Sequence, residues 1–79
     1  MEKQLAMPKL REEMTKGVLC AWLKEEGETV EAGEPLYEIE TDKVVNQIEA
    51  AEGGVLKRQL LEEGDEAAPG TPVAILEAE

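Results

Sequence analysis

Two side chains in this sequence could carry covalent chemistry, Cys20 and Lys43, because the chain has no histidine and one cysteine. The missing histidine removes the usual general base, the triad base and the commonest metal ligand together. A single cysteine excludes an internal disulfide and a cysteine-based zinc site. Cys20, flanked by Leu19 and Ala21, reads as a small buried hydrophobe in a reducing compartment. Lys43 stands near Asp42 and Glu40, not in the desolvated apolar pocket that makes a lysine nucleophilic. No nucleophile–base pair can be assembled, so an autonomous enzyme is disfavoured. What stays open to Lys43 is acylation by another enzyme, which replaces a cation with an amide. Its ordinary reading is a solvated surface lysine.

The rest of the composition narrows the partners. Seventy-nine residues make one small domain with no room for a second core. Nineteen acidic against eight basic side chains give a net charge of −11, which repels a phosphate backbone and an anionic membrane surface. Trp22 and Tyr37 are the only aromatic residues, too few for a base-stacking platform. No apolar run approaches the roughly 20 residues of a spanning helix. The opening Met1-Glu2-Lys3-Gln4 lacks the apolar core of a secretory signal and the Arg/Ser-rich character of a transit peptide. The expected location is the cytoplasm of a prokaryote.

The elements that must position Lys43 are short. Apolar clusters at 17–23, 35–39, 44–50, 54–61 and 72–76 are of strand length, rich in Val and Ile, and bounded by Gly, Pro and acidic residues. They predict a small all-β sandwich or barrel. Residues 23–32 contain good helix formers, but Gly27, Gly33 and Pro35 oppose a helix of useful length.

An internal repeat organises these clusters. Sliding the chain on itself by 37 positions brings residues 17–40 against 54–77, with ten of 24 positions identical. Glu28/Asp65, Leu36/Val73 and Ile39/Leu76 are conservative pairs. Composition bias in an acidic chain can account for some Glu matches, but not for Gly, Pro, Val and Leu preserved at a common spacing. Each half reads as strand, glycine turn, short strand, glycine–proline corner, strand. One half exposes an apolar face it cannot bury, and two can close a single core across a pseudo-twofold axis. The step between the halves is not repeated: a turn joins 36–40 to 44–50, with Asp42-Lys43 as a two-residue tip, although lysine is not a favoured turn residue. Pseudo-symmetry sets that tip opposite the two chain ends. A lysine held out on a hairpin is a candidate attachment point.

Glu40-Thr41-Asp42-Lys43-Val44 resembles the attachment motif of lipoyl domains, found in the acyltransferase (E2) components of 2-oxo acid dehydrogenase complexes. The resemblance covers almost the whole chain. Met7-Pro8-Lys9-Leu10 is similar to the family's opening segment and residues 22–30 to its first glycine turn. Gly27, 16 residues before Lys43, and Gly54, 11 after it, match the family's two characteristic glycines. The resemblance implies a flattened barrel of two four-stranded antiparallel sheets, a barrel-sandwich hybrid with the lysine on an exposed hairpin. It implies that Lys43 carries lipoate as an amide added by a lipoate-attaching enzyme, with Asp42 and Val44 framing it and Glu40 helping to position it. The arm would be acylated at the decarboxylating E1, discharged to coenzyme A at the E2 core and reoxidised by the flavin dehydrogenase E3. Residues 9–16, with Arg11, Glu12, Glu13 and Lys16, are the expected E1 recognition loop.

Biotinyl domains share the fold and the lysine but flank it with Met on both sides, where this chain has Asp42 and Val44. A biotin carboxyl carrier is the alternative, and a β module that only binds partners is the third reading. The glycine-cleavage carrier is longer and has extra helical regions that this chain lacks. Residues 44–50 resemble acetoin-cleaving complexes, which leaves the acyl substrate open. The chain is expected to be an N-terminal fragment of a longer acyltransferase.

Overall fold

The computed structural model describes residues 1–10 and 14–78. Eight strands form there: β1 (Glu2–Ala6), β2 (Gly17–Trp22), β3 (Thr29–Val30), β4 (Pro35–Thr41), β5 (Val44–Glu49), β6 (Gly54–Gln59), β7 (Glu66–Ala67) and β8 (Pro72–Ala78). The five apolar clusters became β2, β4, β5, β6 and β8. The short strand read between each glycine turn and its glycine–proline corner is β3 in the first half and β7 in the second, two residues each; β1, Glu-Lys-Gln-Leu-Ala, lacked a signal. A polar β1 suits its place at a sheet edge, where charge blocks further pairing. No helix forms over 23–32 or elsewhere among the described residues.

The strands make two antiparallel four-stranded sheets, ordered β1-β8-β6-β3 and β5-β4-β2-β7. The 37-residue shift carries β2, β3 and β4 onto β6, β7 and β8, and β1 stands where a second β5 would be. Both sheets carry the same irregularity: the register slips between Leu19 and Ala21 and between Leu56 and Arg58. Cys20 and Lys57 are therefore equivalent bulge positions.

The repeat is visible in the core. Leu19 and Leu56, Leu36 and Val73, and Ile39 and Leu76 are all at most 1% exposed. Around them pack Val30, Met7, Tyr37, Ala50, Ala67 and Ala74, with Met14 close by. Tyr37 meets Trp22 edge-on with centroids 5.4 Å apart, and the Trp22 indole N–H donates to Leu61 O at 3.0 Å.

Acidic matches that composition bias could explain turn out to have bonds of their own. Glu28 Oε1 accepts the Glu25 N–H at 2.7 Å, and Asp65 Oδ2 accepts the Glu62 N–H at 2.8 Å. Glu26 reaches across to the Gln59 N–H, and Glu63 to the Trp22 N–H, at 2.8 and 2.9 Å. Each glycine turn is thus closed by its own carboxylate and clamped by one from the other half.

Two glycines are needed for different reasons. Gly27 has φ +91° with nothing near its missing Cβ, whereas a Cβ on Gly54 would lie 2.2 Å from Glu77 O. Gly27→Ala should cost about 1 kcal/mol through left-handed strain, and Gly54→Ala about 3 kcal/mol through backbone displacement. Urea denaturation of both variants checks the order; equal midpoints would contradict the packing role of Gly54.

Candidate functional site

The β4–β5 ladder runs from Pro35↔Glu49 to Thr41↔Val44, leaving Asp42 and Lys43 as the connection. Both have positive φ, +47° and +67°, as a two-residue turn must when it follows the right-handed twist of its strands. Asp tolerates this region, but Lys does not favour it. A left-handed L-residue costs about 1–2 kcal/mol, so turn chemistry does not account for lysine here. The ladder imposes the turn, and the turn holds Lys43 out into solvent.

The other motif residues take distinct places. Thr41 is buried under the turn, and Val44 is exposed beside it. Glu40 points from the outer face, opposite Val18 on one side and Val45 on the other. Gly27 and Gly54 do not approach the hairpin; they act in the turn and strand packing described above. A groove of about 250 Å³ separates the hairpin from the chain entering β2, with Met14, Gly17 and Val18 on its far side. A Cβ on Gly17 would meet Ile39 Cγ2 at 2.8 Å and Met14 Cε at 2.9 Å. Gly17 thus lets the incoming chain lie against β4 beside the lysine. Sequence reasoning did not single it out as a site residue, although its match with Gly54 in the repeat was a signal. Within the expected recognition loop, Lys16 pairs with Glu66 at 3.3 Å, while Arg11, Glu12 and Glu13 lie outside the described residues.

The other end of the molecule holds the twofold counterpart of this hairpin. There the Met1 amino group donates to Glu77 Oε2 at 2.5 Å and the Ala78 N–H to Met1 O at 2.8 Å. Met1 thus meets the end of β8 at the pole opposite Lys43, where pseudo-symmetry led us to expect the two termini.

Cys20 is half-buried at its bulge, less enclosed than the buried hydrophobe expected from its neighbours. A bulge turns the side chain out of the alternation that buries Leu19. Its thiol lies 3.4 Å from Glu38 O. Burial pushes its pKa up, and the nearby Glu38 carboxylate pushes it further, with Glu40 and Glu63 adding to it. Among the described residues no group of His, Cys, Asp and Glu could hold a metal ion.

Comparison with known proteins decides the family. The biotin–lipoyl family model, described as "Biotin-requiring enzyme", matches residues 3–76. This chain belongs to the biotin–lipoyl family. It is 38% identical over 73 residues, 92% of its length, to the dihydrolipoyllysine-residue succinyltransferase component of a 2-oxoglutarate dehydrogenase complex from Staphylococcus saprophyticus. It is 39% identical over 77 residues to a pyruvate dehydrogenase E1 component subunit beta from Rhizobium meliloti. The chain spans 17% of the length of either relative. The solution structure of a lipoyl domain of the 2-oxoglutarate dehydrogenase complex from Azotobacter vinelandii superposes with a TM-score of 0.79 at 32% identity, covering 94% of both chains. The all-β flattened barrel of two four-stranded sheets read from the lipoyl resemblance is therefore the fold of this biotin–lipoyl domain.

Two outcomes follow. Lys43→Gly should stabilise the fold by about 0.5–1 kcal/mol, left-handed strain relieved minus the added unfolded-chain entropy; a lower urea midpoint would contradict the turn assignment. Because burial and the nearby carboxylates raise the thiol pKa, alkylation of Cys20 by iodoacetamide at pH 8 should be slower than in the urea-unfolded chain. Equal rates would show an unhindered, unperturbed thiol.

Proposed function

We propose that this domain is a swinging-arm carrier that bears lipoate in amide linkage on Lys43. The supporting observation is the hairpin itself: an L-lysine at a left-handed position that it does not favour, held in solvent in a member of a family of cofactor-bearing domains. Asp42 and Val44, in place of flanking methionines, favour lipoate over biotin, as does the likeness to a lipoyl domain. The exposed tip and the open groove beside it fit an attached arm, which needs a free amine and room to leave the surface. When bound, lipoate supplies a dithiolane that takes up an acyl group and electrons together.

The chain's own part is presentation. In the attachment step the Lys43 amine, having given a proton to a base of the attaching enzyme, forms the amide with the activated lipoate carboxyl carbon as the activating group leaves. Glu40, on the outer face before the turn, helps to position the lysine, and buried Thr41 fixes the base of the turn. The carrier would serve a 2-oxo acid or acetoin dehydrogenase complex, visiting the E1, E2 and E3 centres. The parent chain would be a dihydrolipoamide acyltransferase. Tethering makes each visit effectively intramolecular and raises the local concentration of the arm at every active site.

A biotin carboxyl carrier using the same lysine is the second reading, favoured by the family description. Incubation with lipoate, ATP and a lipoate ligase, in parallel with biotin, ATP and a biotin ligase, separates the two by intact mass. A lipoyl adduct that Lys43→Arg abolishes is expected. A biotin-only adduct would overturn lipoate in favour of biotin, and no adduct from either enzyme would leave a partner-binding module.

A further inference from the structure

The internal twofold gives each sheet a sister with the same architecture, so a difference between the two faces is not a demand of the fold. The difference is large. β2, β4, β5 and β7 carry Glu38, Glu40, Glu49 and Glu66 with no lysine or arginine, a strand charge of −4 of which Glu66 is paired with Lys16 just before β2. β1, β3, β6 and β8 carry Glu2 and Glu77 against Lys3, Lys57 and Arg58, a strand charge of +1.

The contrast holds rung by rung. On the Lys43 sheet the outward rungs are Val18–Glu40–Val45 and Ala21–Glu38–Gln47. The equivalent rungs of the sister sheet are Val55–Glu77–Glu2 and Arg58–Ile75–Gln4. Lys57 bridges Glu2 and Glu77 there, with Glu77 at 3.8 Å. The position equivalent to Lys57 is Cys20, and that equivalent to Arg58 is Ala21. One face is neutralised within itself; the other keeps carboxylates among valines and alanine. Val44 and Val45 at its rim, on an edge strand, are 56% and 53% exposed. The upward pull of Glu38, Glu40 and Glu63 on the Cys20 thiol is a local sign of this negative field.

We propose that this outer face, from the hairpin down to Ala21 and Gln47, is the docking surface for the lipoate-attaching enzyme, which meets it with an apolar surface rimmed by arginine or lysine. This rests on lipoate attachment at Lys43. The attaching enzyme is singled out by reach. Centres that use the loaded arm meet its far end, whereas the attaching enzyme must bring its active site to Lys43 Nζ. It therefore covers Val44, Val45 and the rungs below them. Exposed apolar residues surrounded by unpaired like charge are the pattern of a recognition face: the apolar part gives affinity, and the charge gives selection and encounter rate.

The sister sheet supplies the control. Attachment by a lipoate ligase, with lipoate and ATP under limiting enzyme, is followed by intact mass for wild type, Glu38→Gln, Glu38→Lys and Ile75→Lys, the last being the same rung on the other sheet. Wild-type attachment should slow as salt rises, and Glu38→Lys should lower kcat/KM by about tenfold while Glu38→Gln lowers it less. Ile75→Lys, whose charge change of +1 equals that of Glu38→Gln, should stay within about twofold of wild type and above Glu38→Gln. Thermal melts identify any variant that fails to fold, and the wild-type salt response needs no variant. Equal rates for Glu38→Lys and Ile75→Lys, or a salt-independent wild-type rate, would overturn the docking face and leave lipoate attachment standing. A wild-type chain that takes no lipoate would overturn both.

Discussion

Each half of this chain completes the backbone bonding of the other's glycine turn. The Gly27 N–H donates to Leu56 O and the Gly64 N–H to Leu19 O, both at 2.7 Å, and the leucine N–H groups return bonds to Glu28 O and Asp65 O, both at 2.9 Å. These leucines are also core residues at 0% exposure. Backbone satisfaction and apolar burial therefore depend on the same four points of exchange, and unpaired buried amides are costly. The corners repeat the pattern, with Gly33 N–H donating to Ala50 O and Gly70 N–H to Met7 O. A domain this small buries little surface for its size. Interlocked halves let it order two turns, two corners and one core as a unit.

That scaffold carries two features that mark the side of Lys43. One is the left-handed Asp42-Lys43 hairpin. The other is the charge of the sheet that carries the hairpin. A carrier needs little chemistry of its own, which agrees with the absence of histidine and the raised pKa of the Cys20 thiol. It needs one amine presented rigidly and a surface that partners can recognise. Strain in the turn is the cost of the first, and Glu38 and Glu40 on the outer rungs belong to the second.

Much of this was legible in the residues. The repeat predicted the core pairs Leu19/Leu56, Leu36/Val73 and Ile39/Leu76, because spacing that survives a shift along the chain marks equivalent packing positions. Asp42-Lys43 as a two-residue tip followed from the one step the repeat lacks. β1 was not legible, because an edge strand closed by pairing alone carries no apolar alternation. Two-residue β3 and β7 were legible only through the repeat, as the short strand between each glycine turn and its corner. The bulges at Cys20 and Lys57 were hidden for a related reason: a slip of register shows only against the opposite strand, and it left Cys20 half-exposed where its neighbours suggested burial. The roles of Glu26, Glu28, Glu63 and Asp65 were masked by the many other carboxylates. The contrast between the two faces could be seen only after pairing showed which strands share a sheet.

Attachment at Lys43 requires that the fold select one amine. The chain has six lysines, Lys3, Lys9, Lys16, Lys24, Lys43 and Lys57, and only Lys43 stands at a hairpin tip. Peptide-resolved mass spectrometry of the wild-type chain after enzymatic lipoate attachment tests this directly. The added mass is expected wholly on the peptide spanning Lys43, with the other five lysines unmodified. Lipoate on any other lysine in place of Lys43, or spread among several, would contradict it.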